Sequence, residues 1–371
     1  MNATKYGALF DTLKNEILSG KYRSNFPFPS VRALISRFKL SDRTVRHALD
    51  ELYAQGLISR KQGRGTFITG RCVSRKIGLI VPSIAGSESF PAFVSALSRI
   101  AMDEEYTLLF ADIPCANSAE RVKKTKAFAR SLVEQDVAGI IYLPLEFLAN
   151  AAECNRAILN IFTAARIPVV LLDRDIVPAP RRSDFDLVGI NNTAAGRSLA
   201  EHLIAQGAQR IHFFVRPNCA PIYYSRIDGA QIAIRKAGFK SDETNVLVAL
   251  PDNESAIKRH LRKYRPDAFV CSSDTVAAAF CKTLSRLGVK VPDDLLLAGF
   301  NDLQLSRVLT PSLTTVHSPC EQIAEVAFRR LVERMSDPQL PPLEISLPSH
   351  IVIRKSTEGR RARGRKGTKI A

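Results

Sequence analysis

The 371-residue sequence lacks the cysteine pattern of a zinc-binding or disulfide-bonded protein. Its 7 cysteines are scattered, odd in number and without any C-x-x-C pair. No run of about 18 apolar residues occurs, so we expect no transmembrane helix. The first residues, MNATKYGALF, lack a charged segment followed by an apolar one. We therefore expect no secretory signal and a location in the reducing cytoplasm.

Signatures of common enzyme classes are absent as well. The sequence has no G-x-S-x-G nucleophile segment and no phosphate-binding glycine loop, and its 6 histidines are dispersed rather than spaced as metal ligands. We therefore expect a binding protein without catalytic residues, metal or cofactor.

The charge of the chain is unevenly distributed. The formal net charge is +17, from 53 Lys/Arg and 36 Asp/Glu. Residues 1–76 hold 15 basic residues against 5 acidic ones, residues 77–353 hold 30 against 30, and residues 354–371 hold 8 against 1. A basic segment beside a neutral one indicates that a polyanion binds the basic segment alone.

We predict four parts from this distribution and from the length, which suits two or three domains at about 150 residues each. They are a DNA-binding domain over residues 1–70, a linker over 71–75, a two-lobed domain over 76–353 and a disordered basic tail over 354–371. The tail is either a solubilising extension or a non-specific contact to DNA phosphates.

The first domain has the pattern of a winged helix-turn-helix. Apolar residues recur at helical spacing from Tyr6, from Val31 and from Val45, with Ser30 and Ser41 as caps of the second and third helices. The third helix follows a short turn and has a polar, basic face suited to the major groove. The segment LISRKQGRGTFIT alternates around a small cationic tip, which predicts a two-stranded wing.

Residues 4–70 resemble the GntR family of winged-helix regulators. The matching motifs are Pro29-Ser30 with Arg32, Ser41 with Thr44-Val45-Arg46 and Ala48-Leu49, Leu52 with Gly56-Leu57-Ile58, and Gly63 with Gly65-Thr66-Phe67. The resemblance implies that DNA is contacted by Arg32, Ser41, Arg43, Thr44, Arg46, Gly63, Arg64 and Gly65. The alternative is that these charges form only a solvated helix face.

Within this set, Arg46 is expected to reach a base edge, where its guanidinium can read guanine. Asp42 departs from the family pattern, which often has Arg at this position. A carboxylate there repels phosphate but can accept a hydrogen bond from cytosine N4, so an unusual operator sequence is possible.

The neutral middle alternates nine apolar runs of strand length with amphipathic helical segments. The runs are KIGLIVP, YTLLFAD, VAGIIYLP, PVVLLD, DLVGIN, RIHFFV, NVLVAL, DAFVCSS and LLLAGFN. Runs of this kind are typical of strands buried on both faces of parallel sheets. We predict an α/β fold in two lobes, with a ligand in the cleft at the carboxyl ends of the strands.

Residues 76–335 resemble the lactose-repressor (LacI) family, whose effector domain shares the fold of periplasmic sugar-binding proteins. The matching segments include the DRD at 173–175, GINNTAAGRSLAEHLIAQG, SRIDGAQIAIRKAG, CSSDTVAAAF and VPDDLLLAGFND. The resemblance implies effector contacts at Arg226 and Asp274. From the chemistry of polyols, Arg174 joins Arg226 as a hydrogen-bond donor and Phe90 supplies an apolar wall. Asp274 is alternatively a helix N-cap, and Phe90 alternatively a core residue.

The combination of the two domains resembles arabinose-repressor-like regulators. It implies a cytoplasmic, homodimeric repressor whose affinity for double-stranded operator DNA changes when a small molecule binds, with activation left open. The neutral charge of the middle segment fits an uncharged sugar, although purines and acidic metabolites use the same side chains. The alternatives are a solute receptor for a transporter and a pyridoxal-phosphate enzyme fused to a DNA reader.

Overall fold

The amino-terminal unit consists of three helices and a hairpin. The computed structural model describes residues 5–18, 22, 27–61, 65–68, 75–81, 89–113, 115, 117–241 and 245–358. The unit contains α1 (Lys5–Leu18), α2 (Val31–Phe38), α3 (Asp42–Ala54), β1 (Ile58–Lys61) and β2 (Gly65–Ile68). Gly63, Arg64, the linker residues 71–74 and residues 359–371 lie outside the described residues.

The core of this unit confirms the predicted helical spacing. Leu13, Leu34, Val45 and Leu52 are all fully buried in one apolar cluster. The strands β1 and β2 pair antiparallel, with Ile58 opposite Ile68, so the hairpin closes over the helices. This packing places α3 as the second helix of a helix-turn-helix.

The second unit alternates strands and helices along the chain. Its strands are β3 (Arg75–Ile80), β4 (Tyr106–Phe110), β5 (Gly139–Tyr142), β6 (Val169–Leu172), β7 (Asp186–Ile190), β8 (Ile211–Val215), β9 (Val246–Val248), β10 (Ala268–Cys271), β11 (Leu296–Asn301), β12 (Thr314–His317), β13 (Glu344–Leu347) and β14 (His350–Val352). Its helices are α4 (Ser89–Asp103), α5 (Ser118–Glu134), α6 (Ala151–Ala164), α7 (Asn192–Ala205), α8 (Pro221–Lys236), α9 (Glu254–Tyr264), α10 (Asp274–Arg286), α11 (Gln304–Val308) and α12 (Cys320–Ser336).

These strands form two six-stranded sheets, one in each lobe. Lobe 1 has the order β13-β7-β6-β5-β3-β4, and lobe 2 has the order β14-β12-β11-β10-β8-β9. All neighbours are parallel except β14, which runs antiparallel to β12. The chain crosses between the lobes after β7, after β12 and after β13. The predicted fold class, a winged helix-turn-helix followed by two α/β lobes with parallel sheets, is confirmed.

Two predicted boundaries need correction. The tail was expected from residue 354, but Ser356 and Thr357 are buried in lobe 2 and hydrogen-bond to Thr314. The described fold therefore extends to Glu358. At the other end β3 begins at Arg75, which the sequence placed in the linker. No helix in the described part of the chain is long and apolar enough to cross a membrane.

The helices α7 and α8 of lobe 2 pack with their backbones in close contact. A Cβ atom at Gly196 would lie 1.9 Å from the carbonyl oxygen of Arg226, and one at Gly229 would lie 1.9 Å from that of Thr193. Only glycine fits at these two contacts. They fix α8, and the side chains on its first turns, against the amino end of α7.

Candidate DNA-binding surface and effector cleft

Two of the DNA-facing candidates, Arg32 on α2 and Arg43 on α3, differ from the other described arginines of the amino-terminal unit. Arg32 and Arg43 are exposed, and neither has a hydrogen bond or ion pair among the described residues. By contrast, Arg37 pairs with Glu16, and Arg60 pairs with Asp50. The unpaired guanidinium groups of Arg32 and Arg43 are therefore available for phosphate.

Arg46 pairs with Asp42 one turn earlier on α3. Its Nε donates to Asp42 Oδ2 at 2.7 Å, and both side chains are more than half exposed. The hydrogen bond and the charge of Asp42 raise the pKa of Arg46. Asp42 thus accepts from the Nε of Arg46, and the two Nη groups of Arg46 have no hydrogen bond among the described residues.

The remaining candidates of this surface include structural groups. Ser41 caps α3 by accepting from the backbone N of Thr44 at 3.3 Å, and the two hydroxyls lie 2.8 Å apart. Gly65 opens β2 with a φ of +95°, a left-handed conformation that favours glycine. Gly63 and Arg64 fall outside the described residues, so their DNA contacts remain predictions.

The cleft between the lobes is lined by aromatic and charged side chains from both sides. Lobe 1 contributes Phe90, Phe93, Glu146, Phe147, Asp173 and Arg174. Lobe 2 contributes Arg216, Tyr223, Ser273, Thr275, Val276, Asn301 and Leu303. These residues follow strands or begin helices at the carboxyl edges of the sheets, as the sequence predicted.

Glu146 joins the two sides of the cleft. Its Oε1 lies 2.8 Å from Arg174 Nη1, and its Oε2 accepts from the hydroxyl of Tyr223 at 3.1 Å. Burial alone would lower the pKa of Arg174, but the charge of Glu146 outweighs it and the pKa is raised. Burial, with the charge of Glu146, raises the pKa of Tyr223. The sequence did not single out Glu146 or Tyr223, although Glu146 follows β5 as the other polar candidates follow their strands.

Arg226 lies behind the lining of the cleft. Its Nε donates to Asn192 Oδ1 at 2.7 Å, its Nη1 donates to the carbonyl of Ser272 at 2.8 Å, and the guanidinium lies 4.2 Å from the centre of the Phe300 ring. Burial lowers the pKa of this group. Arg226 therefore braces the loop before α10, and Arg174 and Phe90 are the predicted effector contacts that line the cleft.

Asp274, a predicted effector contact, is turned away from the cleft. Its side chain is fully buried, and its carboxyl oxygens accept from the backbone N of Leu303 at 2.9 Å and from the hydroxyl of Thr315 at 2.6 Å. The N-cap of α10 is Ser273 rather than Asp274. Both interpretations of Asp274 are corrected: it anchors α10 to β12, and its neighbour Ser273 faces the cleft. Burial raises the pKa of Asp274 to about 7.

Phe90 combines the two roles that the sequence left open. It belongs to the apolar cluster beneath α4 and also lines the cleft. In the described part of the chain, no group of three or more His, Cys, Asp or Glu side chains is placed to hold a metal ion.

Comparison with known proteins finds a family match within each unit. Residues 5–68 match the model of bacterial regulatory proteins of the gntR family, and residues 200–357 match that of a periplasmic binding protein-like domain. The ribose operon repressor of Halalkalibacterium halodurans is 28% identical over 327 residues, which cover 86% of this chain and 89% of that protein. The arabinose metabolism transcriptional repressor of Geobacillus stearothermophilus is 24% identical over 377 residues, covering 95% and 98%.

Among solved structures, the transcription regulator CcpA of Lactococcus lactis shares the fold. It matches with a TM-score of 0.66 at 24% identity, over 77% of this chain and 100% of that one. The relatives are transcriptional repressors and regulators, not enzymes. The chain thus joins a domain that matches the gntR-family regulatory proteins to a periplasmic binding protein-like domain, and it is homologous to the ribose and arabinose repressors.

Proposed function

We propose that the chain represses transcription by binding operator DNA through α3 and the wing, and that a sugar in the cleft changes this affinity. The observation that carries the proposal is the cleft itself, where Glu146, Arg174 and Tyr223 bring polar groups from both lobes together beside aromatic rings. Rings against C–H faces and fixed polar groups against hydroxyls are what a sugar site requires. The names of the ribose and arabinose repressors support the same ligand class.

A thermal-shift screen over pentoses, hexoses, uronates and nucleobases would identify the effector. A ligand that binds only the folded chain raises its apparent stability, by about 2.7 kcal/mol at a hundredfold excess over Kd. Arg174→Ala should abolish the shift, whereas Arg156→Ala, on the exposed face of α6, should retain it. If no sugar binds but a nucleobase does, the sugar assignment is wrong.

DNA reading is tested with Arg46→Ala and Arg43→Ala. Loss of a base contact by Arg46 should cost about 1–3 kcal/mol and relax the preference at one position of the operator. Loss of a phosphate contact by Arg43 should weaken binding to all sequences and reduce the salt slope by about 1. Full operator affinity and specificity of Arg46→Ala would show that α3 does not read bases through this residue.

The active form is proposed to be a homodimer. The edge strands β4 and β9 occupy equivalent positions in the two sheets, and large apolar side chains are exposed beside both. Phe110 is 43% exposed on β4 and Val248 51% exposed on β9, and Met102 is exposed on α4, which packs against β4. Exposed apolar side chains on the edge strands of both sheets are typical of a protein interface.

Light scattering at micromolar concentration tests the dimer. The double variant Phe110→Glu with Val248→Glu should be monomeric. The control is Ile353→Glu, which is 54% exposed next to β14 at the opposite edge of the lobe 2 sheet and should remain dimeric. A monomeric wild type would contradict the proposal.

The parts are proposed to act as separate units in the cytoplasm. The DNA-binding domain lies within residues 1–70, and the effector domain extends from residue 75 to residue 358. In a dimer, closure of the cleft alters the spacing of the two DNA-binding domains on half-sites about one helical turn apart.

Deleting residues 359–371 should flatten the salt dependence of DNA binding if the basic tail contacts phosphates. An unchanged slope would favour the solubilising role.

A further inference from the structure

The charges in the cleft lining and directly behind it do not balance. Arg174 and Arg216 line the cleft with the carboxylates of Glu146 and Asp173, and a third guanidinium group, of Arg226, is buried directly behind this lining. Both oxygens of Glu146 are already engaged by Arg174 and by the Tyr223 hydroxyl. The lining and the layer behind it together therefore hold an excess of one positive charge, which is that of Arg226.

The cationic groups also have unused hydrogen-bonding capacity. The Nε of Arg174 is buried and has no partner. Arg216 lies 4.2 Å from the ring centre of Phe147 and has no ion pair or hydrogen bond within the part of the chain that the structure describes. Arg226 is bonded only to a neutral amide and a carbonyl among the described residues, and no carboxylate lies within ion-pair distance of it.

A surplus of this kind favours a ligand with negative charge. A desolvated guanidinium without a counter-ion is unfavourable, and a planar fork matches the geometry of a carboxylate or phosphate. Water is largely excluded at Arg174 and Arg226, which are 3% and 4% exposed, so their charges are weakly screened. Asp173 is half-buried and has no side-chain hydrogen bond among the described residues, which leaves an acceptor for a ligand hydroxyl.

We propose that the effector is a polyhydroxylated molecule with an anionic group, a sugar acid or a sugar phosphate, whose anion binds between Arg216 and the free Nε of Arg174. The proposal rests on the proposed function of the cleft and replaces the expectation of an uncharged sugar. Arg216 provides the selectivity for an anionic over a neutral ligand, because the charge of Arg174 is already neutralised by Glu146.

The test uses matched pairs of probes in thermal-shift and calorimetric titrations of the full chain. The pairs are glucose with glucuronate, and ribose with ribose 5-phosphate, so that the carboxylate and phosphate forms are compared separately. In at least one pair, the acidic member should bind at least tenfold more tightly than the neutral member. Its affinity should fall with salt, as expected for a contact between charges.

Arg216→Gln keeps a polar side chain but removes the charge. This variant should bind the acidic ligand about tenfold more weakly and should bind any neutral sugar with unchanged affinity. The control Arg235→Gln alters an exposed arginine in the last turn of α8, more than three turns from Tyr223, and should bind as the wild type does.

Three results would overturn the inference. The first is that the neutral sugars bind more tightly than their acidic counterparts. The second is that Arg216→Gln weakens binding of the neutral and the acidic probe equally. The third is that no acidic probe binds. If neutral sugars bind and acids do not, the cleft remains the effector site and only the anionic class is wrong. If no small molecule binds at all, the proposed function of the cleft fails as well.

Discussion

Replacing Asp274 by Asn is expected to remove a pH-dependent loss of stability. The carboxyl of Asp274 is fully buried beneath α10, and burial, only partly opposed by the hydrogen bonds of Thr315 and Leu303, raises its pKa to about 7. In Asn, the amide oxygen still accepts from Leu303 N and the amide nitrogen can donate to the Thr315 hydroxyl. The variant therefore keeps both hydrogen bonds without a titrating group.

Proton linkage gives the direction and the size of the change in unfolding free energy with pH. The unfolded chain releases the proton near pH 3.9, whereas the folded chain holds it up to about pH 7. The stability that this proton provides is fully present below about pH 3.9 and is lost as the pH rises through about 7. Each pH unit inside this window costs about 1.4 kcal/mol, so the wild type should lose about 2–3 kcal/mol between pH 5 and pH 8 relative to Asp274→Asn.

The assay is urea unfolding followed by circular dichroism, since the chain has no tryptophan. The free energies of unfolding of the two proteins, measured at four pH values from 5 to 8, should diverge up to about pH 7 and then run parallel. Ser273→Ala is the control, because it removes the N-cap of the same helix but no titrating group.

The Ser273→Ala curve should therefore run parallel to the wild type. A parallel curve for Asp274→Asn would refute the reasoning, because it would mean that Asp274 is ionised throughout and faces water in the cleft.

Further substitutions test the other contacts. Asp42→Asn frees Arg46 and removes a charge that repels phosphate, so affinity for non-specific DNA should rise and the salt slope should steepen by about 1; an unchanged slope contradicts the pairing. Gly229→Ala should lower stability by about 1–3 kcal/mol or more in urea, because its Cβ meets the backbone of α7; a neutral effect contradicts that contact. Asp186→Ala should cost roughly 3–5 kcal/mol, since it leaves buried Arg330 without its 2.7 Å partner; a loss under 1 kcal/mol would show that the pair contributes little.

The strands that the sequence revealed share one property. All nine predicted runs, β3 to β11, are rich in apolar residues because both faces of a parallel sheet are covered by helices. Strands β12 to β14 were not predicted, because their sequences, TTVH, EISL and HIV, are short and mixed in polarity. β13 also pairs with β7, far away in the sequence, and periodicity contains no information on such pairing.

The site was predictable as a position but not as a set of contacts. Polar residues beyond strand ends correctly placed Arg174 at the cleft. The prediction that Asp274 contacts the effector was wrong because successive residues at the start of a helix point about 100° apart. A shift of one residue therefore decides whether Ser273 or Asp274 faces the cleft. The Glu146–Tyr223 hydrogen bond joins residues of different lobes, and only the folded chain brings them together.

The central claim is that ligand binding in the cleft changes the affinity of the reader for DNA. The most direct measurement is fluorescence anisotropy of the full chain on a duplex selected from a random library, with and without a saturating cleft ligand from the thermal-shift screen. Coupling of about 1–3 kcal/mol predicts a 5- to 150-fold change in operator affinity, absent in Arg174→Ala. An operator affinity that stays the same at saturating ligand would contradict the account.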